Sequence, residues 1–126
     1  MIRTIYMYDE EQANLTEADI REQLKTDNYN LDFRIISEKV PLSEEFIDEF
    51  SSEVHWVWIC SHQKLSEEFI LSHEEHIWWR YLSENPYLSE EFIIKYLDKL
   101  NIQLLIENKG IILSDDVKLL IKLKNL

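Results

Sequence analysis

The stretch Leu42-Ser43-Glu44-Glu45-Phe46-Ile47 decides the fold, because it returns twice with all six residues unchanged. The copies occupy residues 65–70 and 88–93, so the spacing is 23 residues both times. Weaker copies begin at Leu15 and Leu113. Self-similarity at a fixed period is typical of repeat proteins, in which neighbouring units bury each other's apolar faces. The units are approximately 15–41, 42–64, 65–87, 88–112 and 113–126.

The six-residue motif has the features of a helix start. Ser43 is predicted to be the N-cap, and Glu44 and Glu45 then fall in the first turn, where the helix dipole favours negative charge. Leu42 and Ile47 have the spacing of a hydrophobic staple. We therefore interpret the glutamate pairs as part of helix starts and not as catalytic groups. In the last copy Lys118 takes the isoleucine position, so the staple is lost there.

The second half of each unit is also predicted to be helical. Asp32 and Asn101 are plausible N-caps, and Asn85-Pro86 marks a helix end, since proline disfavours helix at the residue before it. Four apolar positions recur within six residues, which indicates burial on more than one side. They are Leu31/Val54/Ile77/Leu100, Phe33/Trp56/Trp79/Ile102, Ile35/Trp58/Tyr81/Leu104 and Ile36/Ile59/Leu82/Leu105.

The predicted fold class is all-α, a small α-solenoid of helix–turn–helix repeats in one domain, residues 1–126. Residues 1–12 lie outside the repeat, and the alternation of Ile2, Thr4, Tyr6 and Tyr8 makes a short N-terminal extended arm or strand the candidate structure there. About nine short helices are expected, at 17–25, 31–38, 44–52, 54–61, 67–75, 77–84, 90–98, 101–107 and 115–123.

The pattern resembles that of a group of short α-helical repeat proteins with LSEEFI…W units, seen in phages, large DNA viruses and AT-rich bacteria. Residues 42–65 carry the resemblance most fully, through the motif itself with Trp56, Ile59, Ser61 and Gln63. Because that group is mostly without assigned function, the resemblance implies a helical-repeat fold and little about chemistry.

The composition excludes several classes of function. With one glycine, at position 110, no glycine-rich phosphate loop can form, and one cysteine excludes an internal disulfide and multi-cysteine zinc sites. The net charge of −12 argues against nonspecific binding to nucleic acid or to anionic membranes. The N-terminus lacks the pattern of a signal peptide, and no apolar stretch is long enough to span a membrane. We therefore expect a cytoplasmic protein, in the host cytoplasm if it is viral.

Histidine and cysteine offer the only candidates for chemistry. His73 and His76 lie three residues apart, a spacing that can share a metal on a helix. In the repeat, however, His73 aligns with Phe50 and Tyr96, and His76 aligns with Glu53 and Lys99, so both fit structural or variable positions. Cys60 aligns with Ser37, Ser83 and Ile106, which predicts a small buried position with an inert thiol. No catalytic residue, metal site or cofactor is therefore assigned.

The candidate partner-binding residues come from the middle of the chain. Residues 41–86 hold 2 basic and 10 acidic side chains, a net of −8, and include all four tryptophans. Trp56, Trp58 and Trp79 occupy apolar repeat positions, whereas Trp78 occupies a position otherwise held by polar residues or histidine, so Trp78 is the best candidate for an exposed aromatic. The variable positions of these units give the predicted binding residues Asp48, Glu49, Glu53, Leu71, Glu74, Glu75, His76, Trp78 and Arg80.

Three functional hypotheses follow. The first is a non-enzymatic protein-binding module that presents an acidic surface to a basic partner; its sharper form is a phage-type anti-defence inhibitor, similar to an anti-CRISPR protein, that occupies a basic nucleic-acid-binding surface. The second is a scaffold or self-assembling repeat protein in which the apolar segment 113–126 docks against a second copy. The third is a metal-dependent enzyme using His73, His76 and nearby glutamates.

Overall fold

The computed structural model describes residues 9–26 and 30–124, and helices are the regular elements of those residues, with no β-strand among them. This confirms the all-α class. A 3-10 turn, Glu74–His76, accompanies the α-helices. The α-helices are α1 Asp9–Ala13, α2 Glu17–Leu24, α3 Phe33–Lys39, α4 Glu44–Glu49, α5 Trp56–His62, α6 Glu67–Ser72, α7 Trp79–Leu82, α8 Glu90–Lys95, α9 Ile102–Glu107 and α10 Asp115–Lys124.

The predicted helix starts are confirmed by their caps. In five helices the side chain of the cap residue accepts a hydrogen bond from the backbone N–H three residues later, which satisfies one of the N–H groups left without a partner at a helix start. The cap residues are Thr16, Ser43, Ser66, Ser89 and Asn101. Asp32 caps α3 through the N–H of Arg34, and Ser114 Oγ accepts from Val117 N at 3.4 Å.

The first helix of each central unit is shorter than predicted. These helices end at Glu49, Ser72 and Lys95, three residues before the predicted ends at 52, 75 and 98. An aromatic or histidine residue follows each end, and its carbonyl accepts a hydrogen bond from an N–H in the next turn, as Phe50 O does from Glu53 N at 2.9 Å. Phe50 O also accepts from Val54 N at 3.0 Å, so the helix passes into a hydrogen-bonded turn after Glu49.

Helix α1 is an element that the repeat pattern does not predict. The described residues hold ten α-helices, and α1 corrects the expectation of an extended conformation for residues 9–12. The rest of the predicted arm, residues 1–8, lies outside the described residues. Gln12 is the buried residue of α1, and its Oε1 accepts a hydrogen bond from the backbone N–H of Asp32. This contact ties α1 to the start of α3.

The chain divides into two compact units, 1–55 and 56–126. The first unit buries aliphatic side chains and Phe46 from α2, α3, α4 and the residues that follow these helices: Ile20, Ile35, Ile36, Val40, Leu42, Phe46, Ile47 and Val54. The second unit has a core of Cys60, Ile70, Leu82, Phe92, Ile93, Leu100, Leu105, Val117 and Ile121. Among the helices of the described residues, none combines the length and the apolar character that crossing a membrane requires.

Candidate functional site

The predicted binding residues lie in both compact units. Asp48 and Glu49 end α4 and Glu53 lies in the turn after it, all in the first unit. In the second unit, Leu71 belongs to α6, Glu74, Glu75 and His76 form the 3-10 turn, Trp78 precedes α7, and Arg80 lies within α7. All nine are exposed except His76, which is half-buried.

Two of the predicted acidic residues pair with an arginine or a lysine of the chain, and a third, Glu75, has its Oε1 3.8 Å from His76 Nε2. Glu49 Oε2 lies 2.6 Å from Arg21 Nη1, and Glu74 Oε1 lies 2.7 Å from Lys99 Nζ. Both pairs are partly exposed, so each contributes little to stability. The pairs with Arg21 and Lys99 neutralise the charges of Glu49 and Glu74, so Glu53 and Glu75, which pair with neither an arginine nor a lysine, are better positions for testing an acidic surface.

A group of three rings recurs in the repeat and fixes the backbone that carries the candidate residues. The first ring of each group comes from the first residue of α3, α5 or α7. The second is the phenylalanine of the LSEEFI motif that follows, and the third lies four residues after that phenylalanine. Ring centroids lie 4.1–6.4 Å apart, the range in which aromatic pairs stabilise. The groups are Phe33/Phe46/Phe50, Trp56/Phe69/His73 and Trp79/Phe92/Tyr96.

His76 is a stacking residue rather than a freely varying polar one. Its ring lies 4.6 Å from that of Trp56 with an interplanar angle of 7°. In the next unit the equivalent Lys99 places Nζ 5.1 Å from the centroid of Trp79. The position expected to vary without constraint therefore covers a tryptophan face in both units.

The same stacking accounts for the histidine pair. His73 Nδ1 lies 3.0 Å from Phe69 O, and its ring packs on Phe69. Among the described residues there is no group of three or more His, Cys, Asp or Glu arranged to hold a metal. The arrangement of His73 and His76 is that of ring packing around Trp56.

Trp78 is exposed, which confirms the prediction for this residue. Its exposed fraction is 54 %, against half-buried Trp56, Trp58 and Trp79. The indole meets Tyr81 edge to face with centroids 6.2 Å apart, and the Trp78 backbone N–H donates to Cys60 Sγ at 3.4 Å. The indole of Trp78 is therefore largely exposed to solvent, while its backbone is held by the hydrogen bond to Cys60.

Ser37, Cys60 and Ser83 share a repeat position whose side chain accepts a hydrogen bond from the backbone N–H of a residue just before a later helix. Ser37 Oγ accepts from His55 N at 3.0 Å, Cys60 Sγ from Trp78 N, and Ser83 Oγ from Asn101 N at 2.8 Å. Burial raises the pKa of the Cys60 thiol to about 11, which keeps it protonated and unreactive at neutral pH. Ile106, aligned with these residues, is 51 % exposed, so the prediction of a buried position was wrong there.

This alignment predicts the effect of changing Cys60. We expect Cys60→Ser to alter the free energy of unfolding by less than about 1 kcal/mol, because a serine oxygen can accept the Trp78 N–H, whereas Cys60→Val leaves that N–H without its acceptor and costs about 1–3 kcal/mol. Urea denaturation followed by tryptophan fluorescence measures both variants. An equal loss in the two variants would contradict the assignment of Cys60 as a hydrogen-bond acceptor.

Asparagine joins the helix ends within the second unit. Asn85, which is 1 % exposed, donates from Nδ2 to Cys60 O and Gln63 O, both at 2.7 Å, and accepts from Tyr87 N at 2.8 Å. Asn108 repeats the arrangement with Ser83 O, Asn85 O and Gly110 N, each at 3.0 Å. One amide group therefore satisfies three backbone groups where a helix ends.

The first glutamate of the motif also reaches a later unit. Glu17 Oε1 accepts from Ser43 N at 3.0 Å, and Glu90 Oε1 accepts from Ser114 N. Glu67 Oε1 instead accepts from Lys95 Nζ at 2.5 Å and from Tyr96 Oη at 2.6 Å. These glutamates therefore connect units in addition to serving helix starts.

The contacts of Glu67 shift three titrations. Hydrogen bonds from Lys95 and Tyr96 lower the pKa of Glu67 from its ordinary value, and the same contacts with Glu67 raise the pKa of Lys95 and of Tyr96. Because the folded-state pKa of Glu67 is lowered, its contribution to stability is present above the unfolded-state pKa. That contribution is lost as the pH falls through the folded-state pKa.

The sequence reasoning missed Asn85 and Glu67. Asn85 recurs as Asn108 one repeat later, a signal that goes beyond the helix end marked by Asn85-Pro86. The signal for Glu67 was that the first glutamate after the cap residue recurs in four units, although helix capping does not require a glutamate there. Neither signal names the atoms that are joined, since those belong to neighbouring units.

A comparison with protein-family models, curated proteins and solved structures found no match. The resemblance to LSEEFI…W repeat proteins and the stacking of units into a solenoid therefore stay predictions.

Proposed function

We propose that this chain is a non-enzymatic, cytoplasmic protein-binding module that presents acidic side chains and Trp78 to a partner with a basic surface. The observation that carries the proposal is the exposure of Trp78 in a segment whose net charge is −8. Exposed tryptophan is enriched among the residues that dominate binding energy. Acidic side chains in the same segment of the sequence favour a basic partner and speed association with it.

The acidity of the middle units is not needed to build the repeat. Glu49 shares its position with Ser72 and Lys95, and Glu53 shares its position with His76 and Lys99. Since lysine is accepted at both positions in a later unit, the fold does not require negative charge there. The choice of glutamate at these exposed positions supports a role in binding.

The sharper form of the proposal is a phage-type anti-defence inhibitor. In it, carboxylates take the place of nucleic-acid phosphates on a basic surface of a host protein. This form predicts that DNA or RNA displaces the chain from its partner at physiological salt, whereas a module that docks away from a nucleic-acid site is not displaced there.

The test is affinity capture from a host lysate, followed by competition with duplex DNA and with RNA. We expect a basic protein to be captured at low salt and to be displaced by nucleic acid. Trp78→Ala should weaken binding tenfold or more, as loss of a central aromatic anchor does. Tyr87→Ala is the matched control, because Tyr87 is 58 % exposed and lies outside the predicted binding residues.

Charge reversal gives the second arm. Glu53→Lys together with Glu75→Lys should reduce capture, whereas Glu11→Lys together with Glu107→Lys makes the same change of charge at exposed sites outside residues 41–86. If both double variants capture the partner as well as the original chain does, the acidic-surface proposal is contradicted. Loss of capture without competition by nucleic acid would keep the binding module and remove the inhibitor form.

The alternative function, a self-assembling scaffold, has its own supporting observation. Helix α10 exposes Leu119, Leu120 and Leu123, and Ile112 before it is 94 % exposed. Four exposed apolar side chains in one segment favour association of this segment with a second copy of the chain. Light scattering over a range of concentrations distinguishes a scaffold, whose mass rises with concentration, from a binder of constant mass.

A further inference from the structure

An apolar cavity of about 310 Å³ lies between α9 and α10. Buried Leu105 and Ile121 form part of its wall, and Ile106, Ile111 and Leu113 add further aliphatic surface. The remaining lining residues are Asn108, Lys118 and Lys122. This size is at the lower end of the range for pockets that bind small molecules.

The cavity coincides with a departure from the repeat. The position held by buried Ile47, Ile70 and Ile93 in three first helices is held by Lys118 in α10. An aliphatic side chain that belongs to the hydrophobic staple is therefore replaced by a charged one. The apolar surroundings are kept, and the replacement brings a positive charge to their edge.

Two positive charges accompany the apolar wall. Lys118 and Lys122 are four residues apart on α10 and therefore share one helix face. Lys95, Lys99 and Lys124 each pair with a carboxylate. Across residues 9–26 and 30–124, Lys118 and Lys122 form no such ion pair, so both charges are available to an incoming anion.

We propose that this cavity binds a medium-chain aliphatic carboxylate, with the alkyl chain against Leu105, Ile106 and Ile121 and the carboxylate at Lys118 and Lys122. The apolar wall supplies affinity, and the lysines select an anion over a neutral or cationic amphiphile. The volume suits a small molecule better than a docked helix, whose diameter with side chains is about 10–12 Å. The site is independent of the acidic surface and of Trp78.

The test is calorimetric titration with decanoate below its micelle concentration, with decanol and decylamine as probes of charge. We expect one saturable site for decanoate and at least tenfold weaker binding of the other two. Lys118→Met with Lys122→Met keeps side-chain length and removes the charges, so decanoate should lose its preference over decanol. Lys109→Met is the matched control, since Lys109 is exposed and does not line the cavity.

Filling the cavity gives a second arm that leaves the core residues unchanged. Ile106→Trp should abolish decanoate binding, whereas Leu123→Trp, also at an exposed apolar residue but outside the cavity lining, should not. Equal binding by both variants means that decanoate adsorbs to exposed leucines and overturns the proposal. Absent decanoate binding, with self-association that Ile106→Trp removes, also overturns it and assigns the cavity to a second copy of the chain.

Discussion

Replacing Asn85 by aspartate should lower the free energy of unfolding by about 3–5 kcal/mol, one of the two largest effects expected from a single substitution in this chain. The side chain keeps its shape but loses the two N–H donors that now reach Cys60 O and Gln63 O. A carboxylate at this 1 % exposed position would face two carbonyl oxygens with no compensating charge. The loss therefore combines missing hydrogen bonds with the burial of an unpaired charge.

Urea denaturation followed by tryptophan fluorescence measures this effect, because all four tryptophans belong to the second compact unit. Asn108→Asp is the matched control: it breaks the same kind of contacts at a half-buried residue and should cost less. Lowering the pH should recover part of the stability of Asn85→Asp, since protonation removes the charge. A loss below 1 kcal/mol would contradict the bridging role of the amide.

Phe46→Ala should cost a similar amount in the first unit, about 3–5 kcal/mol. Phe46 is fully buried, and its ring lies 4.5 Å from that of Phe50 and 5.2 Å from the Arg21 guanidinium carbon. The substitution removes a large apolar volume and two ring contacts together. Far-UV circular dichroism during urea denaturation is the appropriate measurement, because the first unit contains no tryptophan.

Phe46→Leu separates volume from ring contacts. Leucine keeps most of the apolar volume, so we expect a smaller loss, about 1–1.5 kcal/mol. Glu45→Ala, at the exposed neighbour of Phe46, should change the stability by no more than about 0.5 kcal/mol. If Phe46→Ala costs no more than Phe46→Leu, the ring does not anchor α4.

The features that could be predicted from the sequence are local ones. Ser43, Ser66 and Ser89 cap their helices as predicted, because capping needs only the next three residues. The burial of Ile36, Ile59, Leu82 and Leu105 also follows from their recurrence at one position of the repeat. The exposure of Trp78 could be predicted because the other units have polar residues or histidine at the same position.

The features that could not be predicted join residues from different units. Gln12 binds the start of α3 from a helix outside the motif, so no repeat spacing points to it. His76 looked variable because Glu53 and Lys99 share its position, yet it stacks on Trp56. For the cavity, the sequence shows that Lys118 breaks the staple, but the volume left beside it depends on how α9 and α10 pack.

The hydrogen bonds that Ser37, Cys60 and Ser83 accept from the residue before the next helix have a consequence for how such a chain changes length. The segments 42–64 and 65–87 each bring one acceptor for the segment after them, Cys60 or Ser83, and one donor for the segment before them, His55 or Trp78. Duplicating or deleting one of these two segments as a whole therefore leaves no such donor or acceptor without a counterpart. Inserting a few residues between such a donor and its acceptor would separate the pair, so we expect changes of length in steps of one segment to disturb these bonds least.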